Sequence, residues 1–365
     1  MKDSAVRNEP RRSSSDDPGR RPSRLQRWLP WTSRRVLELL VIALIVEYLL
    51  LPQLAGTHHW LHLLVNVNVW WVLAAFGFEL ASLFAFSVAT RVFLPRGEVP
   101  LSLWRLWRID RAGIAVSHAV PGGAAAGTAL GYRLLHRDGV DPAAASFAKL
   151  GQGAVSALVL QALLVSSIAI AIPLHGNSPI YLTALAGAAG IVAVLVLLTL
   201  LLVRAEHRVA AFAGALTKRL PRMREQSGRE FVTHLGQHVR MIAKRPRLFA
   251  WSAVWSAANW ILDAMALWCS VTAFGHVLGY DGLLVPFCLA NTAAWIPITP
   301  SGLGIVEGVI VPTLVGFGTP RGIALLGTVT WRLLNFWLPI PLGGVSYLTL
   351  SRRRREVRAR VADST

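Results

Sequence analysis

The stretch PITPSGLGIVEGVIVPTLVGFGTPRGIALLGTVTWRLLNFWLPIPLGG, residues 297–344, decides the fold. It passes Pro300, Gly302 and Gly304, runs through a short apolar segment to Gly318 and Pro320, and becomes a long apolar helix. A Pro with clustered Gly breaks a helix. Here the break lies inside apolar sequence. Backbone groups freed within a bilayer must be buried in protein or line a wet cavity. The stretch therefore predicts a membrane-embedded chain with a broken, re-entrant segment.

The break has a counterpart upstream at an offset of 179 residues. Pro121 aligns with Pro300, Gly123 with Gly302, Leu135 with Leu314, Gly139 with Gly318 and Ala145 with Ala324. Each copy has the same order: Pro, Gly-rich start, short apolar stretch, Gly, Pro, long apolar helix. Transporters use broken helices in corresponding halves to build a substrate site near the midplane. The amides at a half-helix N-terminus suit an anionic group such as a phosphate. The alternative is that the small residues simply let helices pack closely, as the GxxxG spacing of Gly123, Gly127 and Gly131 allows. Substrate-path candidates are Pro121, Gly122, Gly123, Pro300, Gly302 and Gly304.

Composition agrees with an all-α, polytopic membrane protein. Hydrophobic residues make up 54% and charged residues 15% of the 365, against about a quarter charged in soluble domains. Several runs exceed the ~18 apolar residues of a membrane helix. Spans are predicted over 36–54, 65–94, 143–173, 180–203, 249–274, 283–298 and 321–350, about seven or eight membrane segments with the broken ones counted. Residues 95–111, with Arg105, Arg108 and Arg111 among Leu and Trp, read as an interfacial amphipathic helix.

The net charge of +18 does not point to nucleic acid. Of 37 Lys and Arg, 10 lie in residues 1–35, 11 in 204–247 and 6 in 352–365. Clusters flanking apolar runs are the positive-inside pattern, and they attract anionic headgroups. This predicts a disordered basic cytoplasmic tail over 1–35, a transmembrane domain over 36–350 with a basic cytoplasmic loop at 204–247, and a basic cytoplasmic tail over 351–365. The expected location is the inner (plasma) membrane. No cleavable signal is expected, because some 35 polar residues precede the first apolar run. For both termini to be cytoplasmic, 112–137 must not fully cross. In the second half, either 300–318 crosses or the last run is broken at Pro339 and Pro341.

Charge inside an apolar segment costs at least about 2.5 kcal/mol and needs a reason. Glu307 follows the Gly-rich break and Arg332 lies within the last run, so the two can pair. Arg133 follows the first break and can face a headgroup. Glu79 and Asp263 lie mid-helix, where each can bind a proton, a cation or an Arg. Lys149 can snorkel to the interface. His118 reads as a satisfied buried histidine. Cys269 and Cys288 read as small buried hydrophobes. No metal or cofactor motif is present: there is no HExxH, no GxSxG and no P-loop. Pro300-Ser301-Gly302 is similar to the start of a lipid-phosphatase PSGH, but Leu303 replaces the histidine.

PITPSGLGIVEG, with the spacing to Arg332 and the Phe336-Trp337 pair, resembles the second conserved block of the lysylphosphatidylglycerol synthase transmembrane region, also called the flippase-like (YbhN-like, UPF0104) family. Pro300, Gly302, Leu303, Gly304, Glu307, Gly318, Arg332, Phe336 and Trp337 carry the match. VPGGAAAGTALGYRLLHRDGVDPAAA resembles the first block. The resemblance implies translocation or binding of anionic phospholipid, aminoacylated in the best-understood members, or of another lipid-linked substrate, between leaflets. In two-part members a soluble C-terminal transferase makes that lipid. None is expected here, because the sequence stops at Thr365; the chain is read as a non-enzyme whose partners are anionic phospholipid and a separate synthase or transferase. Ala124 to Thr128 carry no acid, and Gln152-Gly153 stand where many members have an acid-Arg pair. Two other readings compete: a non-catalytic scaffold for a lipid-modifying enzyme or glycosyltransferase, and an intramembrane enzyme acting on a lipid or polyprenyl phosphate.

Overall fold

The computed structural model describes residues 66–94, 101–120, 123–175, 246–295 and 299–362, with isolated positions 189, 190, 193 and 197; for 300 and 352–362 it describes the backbone alone. The predicted tail 1–35, the span 36–54, most of 180–203, the loop 204–245, Pro121 and Gly122 lie outside the described residues. Among the described residues the elements are helical, without strands.

Helix α1 (Val69–Val92) starts at Asn68, whose side chain accepts from the Trp70 N–H at 3.1 Å. It packs antiparallel on α5 (Pro246–Thr272). The register shows at two points: the Asn68 N–H donates to the Ala273 carbonyl (2.9 Å), and Asn259 Nδ2 donates to the Ser82 carbonyl and hydroxyl (3.1 and 2.7 Å). The outer faces carry exposed Trp70, Leu73, Phe76, Trp251 and Val254, the surface a lipid-facing helix needs.

Helices α2 (Leu103–Ala119) and α3 (Gly123–Arg137) form a close helical hairpin. Ser102 caps α2 by accepting from the Arg105 N–H (3.2 Å). Val120, before a proline, is extended (φ −130°, ψ 135°) and stops the helix. The arms touch through glycine: a Cβ at Gly113 would lie 2.9 Å from the Gly127 carbonyl oxygen. Seventeen and 15 residues rise about 26 and 22 Å, short of a ~30 Å hydrocarbon core. The arms thus suit a re-entrant hairpin, as expected for 112–137. One expectation changes. The helix predicted as interfacial over 95–111 instead continues to Ala119, and Arg111 is fully buried (0% exposed).

Helices α4 (Pro142–His175), α6 (Tyr280–Ala293) and α7 (Ile305–Gly316) follow. The last two pack together as a second hairpin, with a 3-10 turn at Pro300–Gly302 in its tip. At 14 and 12 residues its arms rise only about 21 and 18 Å. Segment 300–318 is therefore one arm of a hairpin and does not supply a crossing of its own. Helices α8 (Arg321–Arg332) and α9 (Pro339–Ala362) are joined by a π turn at Leu333–Trp337. Pro339 and Pro341 supply no N–H, so the carbonyls of Asn335 and Trp337 lose their usual donors. The π turn absorbs this, with the Leu338 N–H reaching the Leu333 carbonyl (2.9 Å). The last run is therefore bulged and continues through both prolines. Val69–Val92, Pro142–Pro173 and Arg321–Ser351 are each long and apolar enough to cross a membrane.

The repeat is present in the backbone. Gly139 and Gly318 both have φ 90°. The Gly139 and Val140 N–H groups donate to His136 and Leu135 (3.1 and 3.2 Å); Gly318 and Thr319, each 179 residues later, donate to Val315 and Leu314 (2.9 and 3.0 Å). These are two copies of one glycine-terminated helix end. Ala145 and Ala324 then close matching first turns on Asp141 and Pro320 (2.8 and 2.9 Å).

Each hairpin organises its own core. Leu106, Ile109, Leu134 and Leu135 of the first cluster with Phe93, Leu94 and Phe147. Leu284, Phe287, Val306 and Ile310 of the second cluster with Leu164, Ile168 and Leu267. Each hairpin begins beside the C-terminal end of its preceding helix, α1 or α5. Those helices are antiparallel, so the hairpins enter from opposite ends of the molecule.

Candidate functional site

The hairpin tips meet. Ser301 Oγ donates to the Ser117 carbonyl at 3.2 Å. Ser301 is the non-glycine described residue with left-handed backbone (φ 43°), and Gly302 and Gly304 beside it have φ 70° and 82°. Such a conformation costs a non-glycine residue about 1–2 kcal/mol, and strain of this kind gathers at functional sites. Beside the tips lies a cavity of about 600 Å³. Ser117, His118 and Gly123 from the first tip and Thr299 and Ser301 from the second line it. Its walls add Glu79, Ser156, Asn259, Asp263, Arg332 and Asn335 from α1, α4, α5 and the α8–α9 junction. Ala124, Ala125 and Trp295 on its lining are exposed.

Arg332 is 3% exposed and Glu307 6%. Arg332 Nε donates to Glu307 Oε1, the pairing the sequence suggested. Glu307 Oε2 accepts from the Gly304 N–H (2.6 Å), so the same carboxylate closes the first turn of α7. Arg332 Nη2 is buried without a hydrogen-bond partner, while the side chain lines the cavity. The guanidinium lies over the Phe336 ring, 4.8 Å from its centroid. His118 Nδ1 donates to the Phe336 carbonyl (2.9 Å), within the π turn, and the two rings stack at 4.8 Å.

Glu79 (1% exposed) and Asp263 (4%) face each other across the α1–α5 contact. They are within hydrogen-bond reach of one another. Asp263 also accepts from Trp331 Nε1 (2.7 Å) and Asn335 Nδ2 (3.0 Å), residues on either side of Arg332. The cavity therefore holds an arginine anchored on one acid and flanked by groups tied to a second.

Of the residues singled out from sequence, Gly123, Glu79, Asp263 and Arg332 line the cavity. Glu307, Gly302 and Gly304 support it from the tip of the second hairpin, and Pro300 opens its 3-10 turn. Pro121 and Gly122 lie outside the described residues. Arg133 is exposed and away from the lining. Lys149 does not snorkel: it pairs with buried Asp110 inside the protein. Arg105 is held by Asp138 through two bonds (2.5 and 2.7 Å) at the outer end of the first hairpin, so it does not reach the cavity. Sequence reasoning missed Asp110, Asn259, Asn335 and the burial of Arg111. The signal for Arg111 was rotation: six residues from Arg105 turn a helix to a face about 120° away. Cys269 and Cys288 are buried and free, as expected. Among the described residues no cluster of three or more His, Cys, Asp or Glu could hold a metal.

Comparison with known proteins follows the same outline. The profile of the family described as the lysylphosphatidylglycerol synthase TM region matches residues 35–343. A UPF0104 membrane protein of Methanothermobacter thermautotrophicus is 29% identical over 105 residues, covering 29% of this chain and 31% of its own length. The inner membrane protein YbhN of Escherichia coli is 26% identical over 105 residues, 29% of this chain and 32% of that protein. The chain thus spans about a third of these two relatives. The UPF0104 membrane protein PH1989 of Pyrococcus horikoshii is 21% identical over 333 residues, 87% of this chain and 97% of that protein.

Proposed function

The chain belongs to the lysylphosphatidylglycerol synthase transmembrane-region family, and from that premise we propose that it moves a lipid with an anionic headgroup between leaflets through the cavity at the hairpin tips. One observation carries this reading: Arg332 lines the cavity, and its Nη2 is buried without a hydrogen-bond partner. An unmade charged hydrogen bond in a buried place costs about 1–3 kcal/mol or more. A phosphate oxygen on Nη2 would recover it. Arginine suits phosphate because its planar fork matches the oxygens. The Ser117 and Ser301 hydroxyls also line the cavity, each donating to a backbone carbonyl, of Gly113 and Ser117. Glu307 keeps the guanidinium in place while the headgroup comes and goes. The family name points to an aminoacylated phosphatidylglycerol as one substrate, supplied by a separate transferase. The Glu79–Asp263 side of the cavity would then face the cationic aminoacyl group.

The basic clusters flanking the apolar runs support a reading with both termini on the cytoplasmic side of the plasma membrane. The role is transport without chemistry on the lipid. The test is reconstitution in liposomes with a fluorescent phosphatidylglycerol in one leaflet and a membrane-impermeant quencher outside. Wild-type protein should move the probe between leaflets, and Arg332→Gln should slow it by at least about tenfold, the equivalent of one lost charged hydrogen bond. Equal movement by both proteins, or none by wild type across several anionic lipids, would overturn the reading.

A further inference from the structure

We propose that the Glu79–Asp263 pair is a proton-binding site whose occupancy is linked to the headgroup at Arg332, so that the lipid crosses together with one proton. This inference rests on the transport reading above. Two buried carboxyl groups that face each other favour a shared proton, because carboxylates only accept and like charges repel. The contact spans α1 and α5, and both side chains line the cavity. Glu79 Oε2 is buried with no hydrogen-bond partner.

Counting the buried charges among the described residues gives the same answer. Lys149 pairs with Asp110, and Arg332 pairs with Glu307. That leaves Glu79 and Asp263 with Arg111, which is buried on α2 with Nε and Nη1 unpartnered and Nη2 on the Leu83 carbonyl (3.2 Å). Two acids and one arginine balance only when the acids share one proton. Unbalanced charge in a membrane interior is expensive. The groups facing the pair are Arg111 and His118 from α2, and Trp331, Arg332 and Asn335 from the α8–α9 junction, with Glu307 of α7 behind Arg332. From α4, Ser156 faces the cavity and carries no charge.

The link to the headgroup is short. Asp263 holds Trp331 and Asn335, the residues flanking Arg332 along the bulged helix. An anion on Arg332 favours the protonated pair, and by reciprocity a protonated pair favours the anion. Loss of the proton restores the second negative charge beside the site and expels the headgroup. No bond in the lipid is made or broken. The proton enters from water in the cavity and leaves with the lipid on the other side.

Two readouts on the full-length protein test this. Infrared spectroscopy of the reconstituted protein at neutral pH should show a protonated-carboxyl stretch that is absent from Glu79→Gln and from Asp263→Asn, both near-isosteric and checked as monodisperse. In liposomes of phosphatidylethanolamine and phosphatidylglycerol, acidifying the side on which fluorescent phosphatidylglycerol starts should speed its departure by about tenfold, a usual size for linked sites. Absence of the carboxyl band in wild type overturns the proposal. Movement indifferent to a pH gradient, or driven by a sodium gradient instead, also overturns it while leaving the transport reading intact. No movement under any gradient ends both.

Discussion

Arg332 divides its guanidinium unevenly: Nε holds Glu307, and Nη2 is buried without a hydrogen-bond partner. The stability cost of breaking that pair is large because the remaining charge is buried and poorly solvated. Glu307→Gln should destabilise the protein by about 3–5 kcal/mol. It should also loosen the tip, since Glu307 is the acceptor for the Gly304 N–H. Unfolding of purified protein in detergent measures this, and the double variant Glu307→Gln, Arg332→Gln should recover part of the loss. Equal stability of wild type and Glu307→Gln would contradict the role given to the pair. Both partners were legible from sequence, because an acid after a glycine break and an arginine inside an apolar run are each conspicuous. Asp110 and Arg111 were not, because they follow Arg105 and Arg108 in a run that reads as an amphipathic surface. Their phase on the helix, about 120–140° round from Arg105, turns them inward.

At the scale of elements, the informative feature is the glycine that ends α3 and its twin that ends α7. Gly139 and Gly318 share φ 90° and the same pair of closing hydrogen bonds. A Cβ in that conformation costs about 1–2 kcal/mol. Gly139→Ala and Gly318→Ala should each lower stability by that amount, read as a shift in the unfolding midpoint. A loss at one site alone would argue against equivalent roles. The repeat was visible as an ordered set of landmarks with few identities, and the matched hydrogen bonds turn that order into geometry. The length of each arm, too short to cross, was harder to read. Helix ends here are set by an extended residue before Pro121 and by positive φ at Ser301, Gly302 and Gly304, which local propensity does not place to the residue. The π turn at Leu333–Trp337 was likewise hidden. Two prolines predict a broken run, but they do not say that the chain will widen by one residue and continue.

At the scale of the whole molecule, antiparallel α1 and α5 make the repeat an inverted one, with hairpins descending from opposite ends toward one cavity. The first hairpin's outer end, at Arg137, and the second's, at Arg321, should therefore lie at opposite membrane faces. Both positions are exposed, and Cys269 and Cys288 are buried, so single cysteines can be read against a quiet background. The measurement is labelling of Arg137→Cys and Arg321→Cys in sealed vesicles with a membrane-impermeant thiol reagent, before and after permeabilisation. The inverted arrangement predicts that one variant is labelled in intact vesicles and the other only after permeabilisation. Labelling of both from the same side would contradict it, and with it the cavity between opposed tips on which the functional account stands.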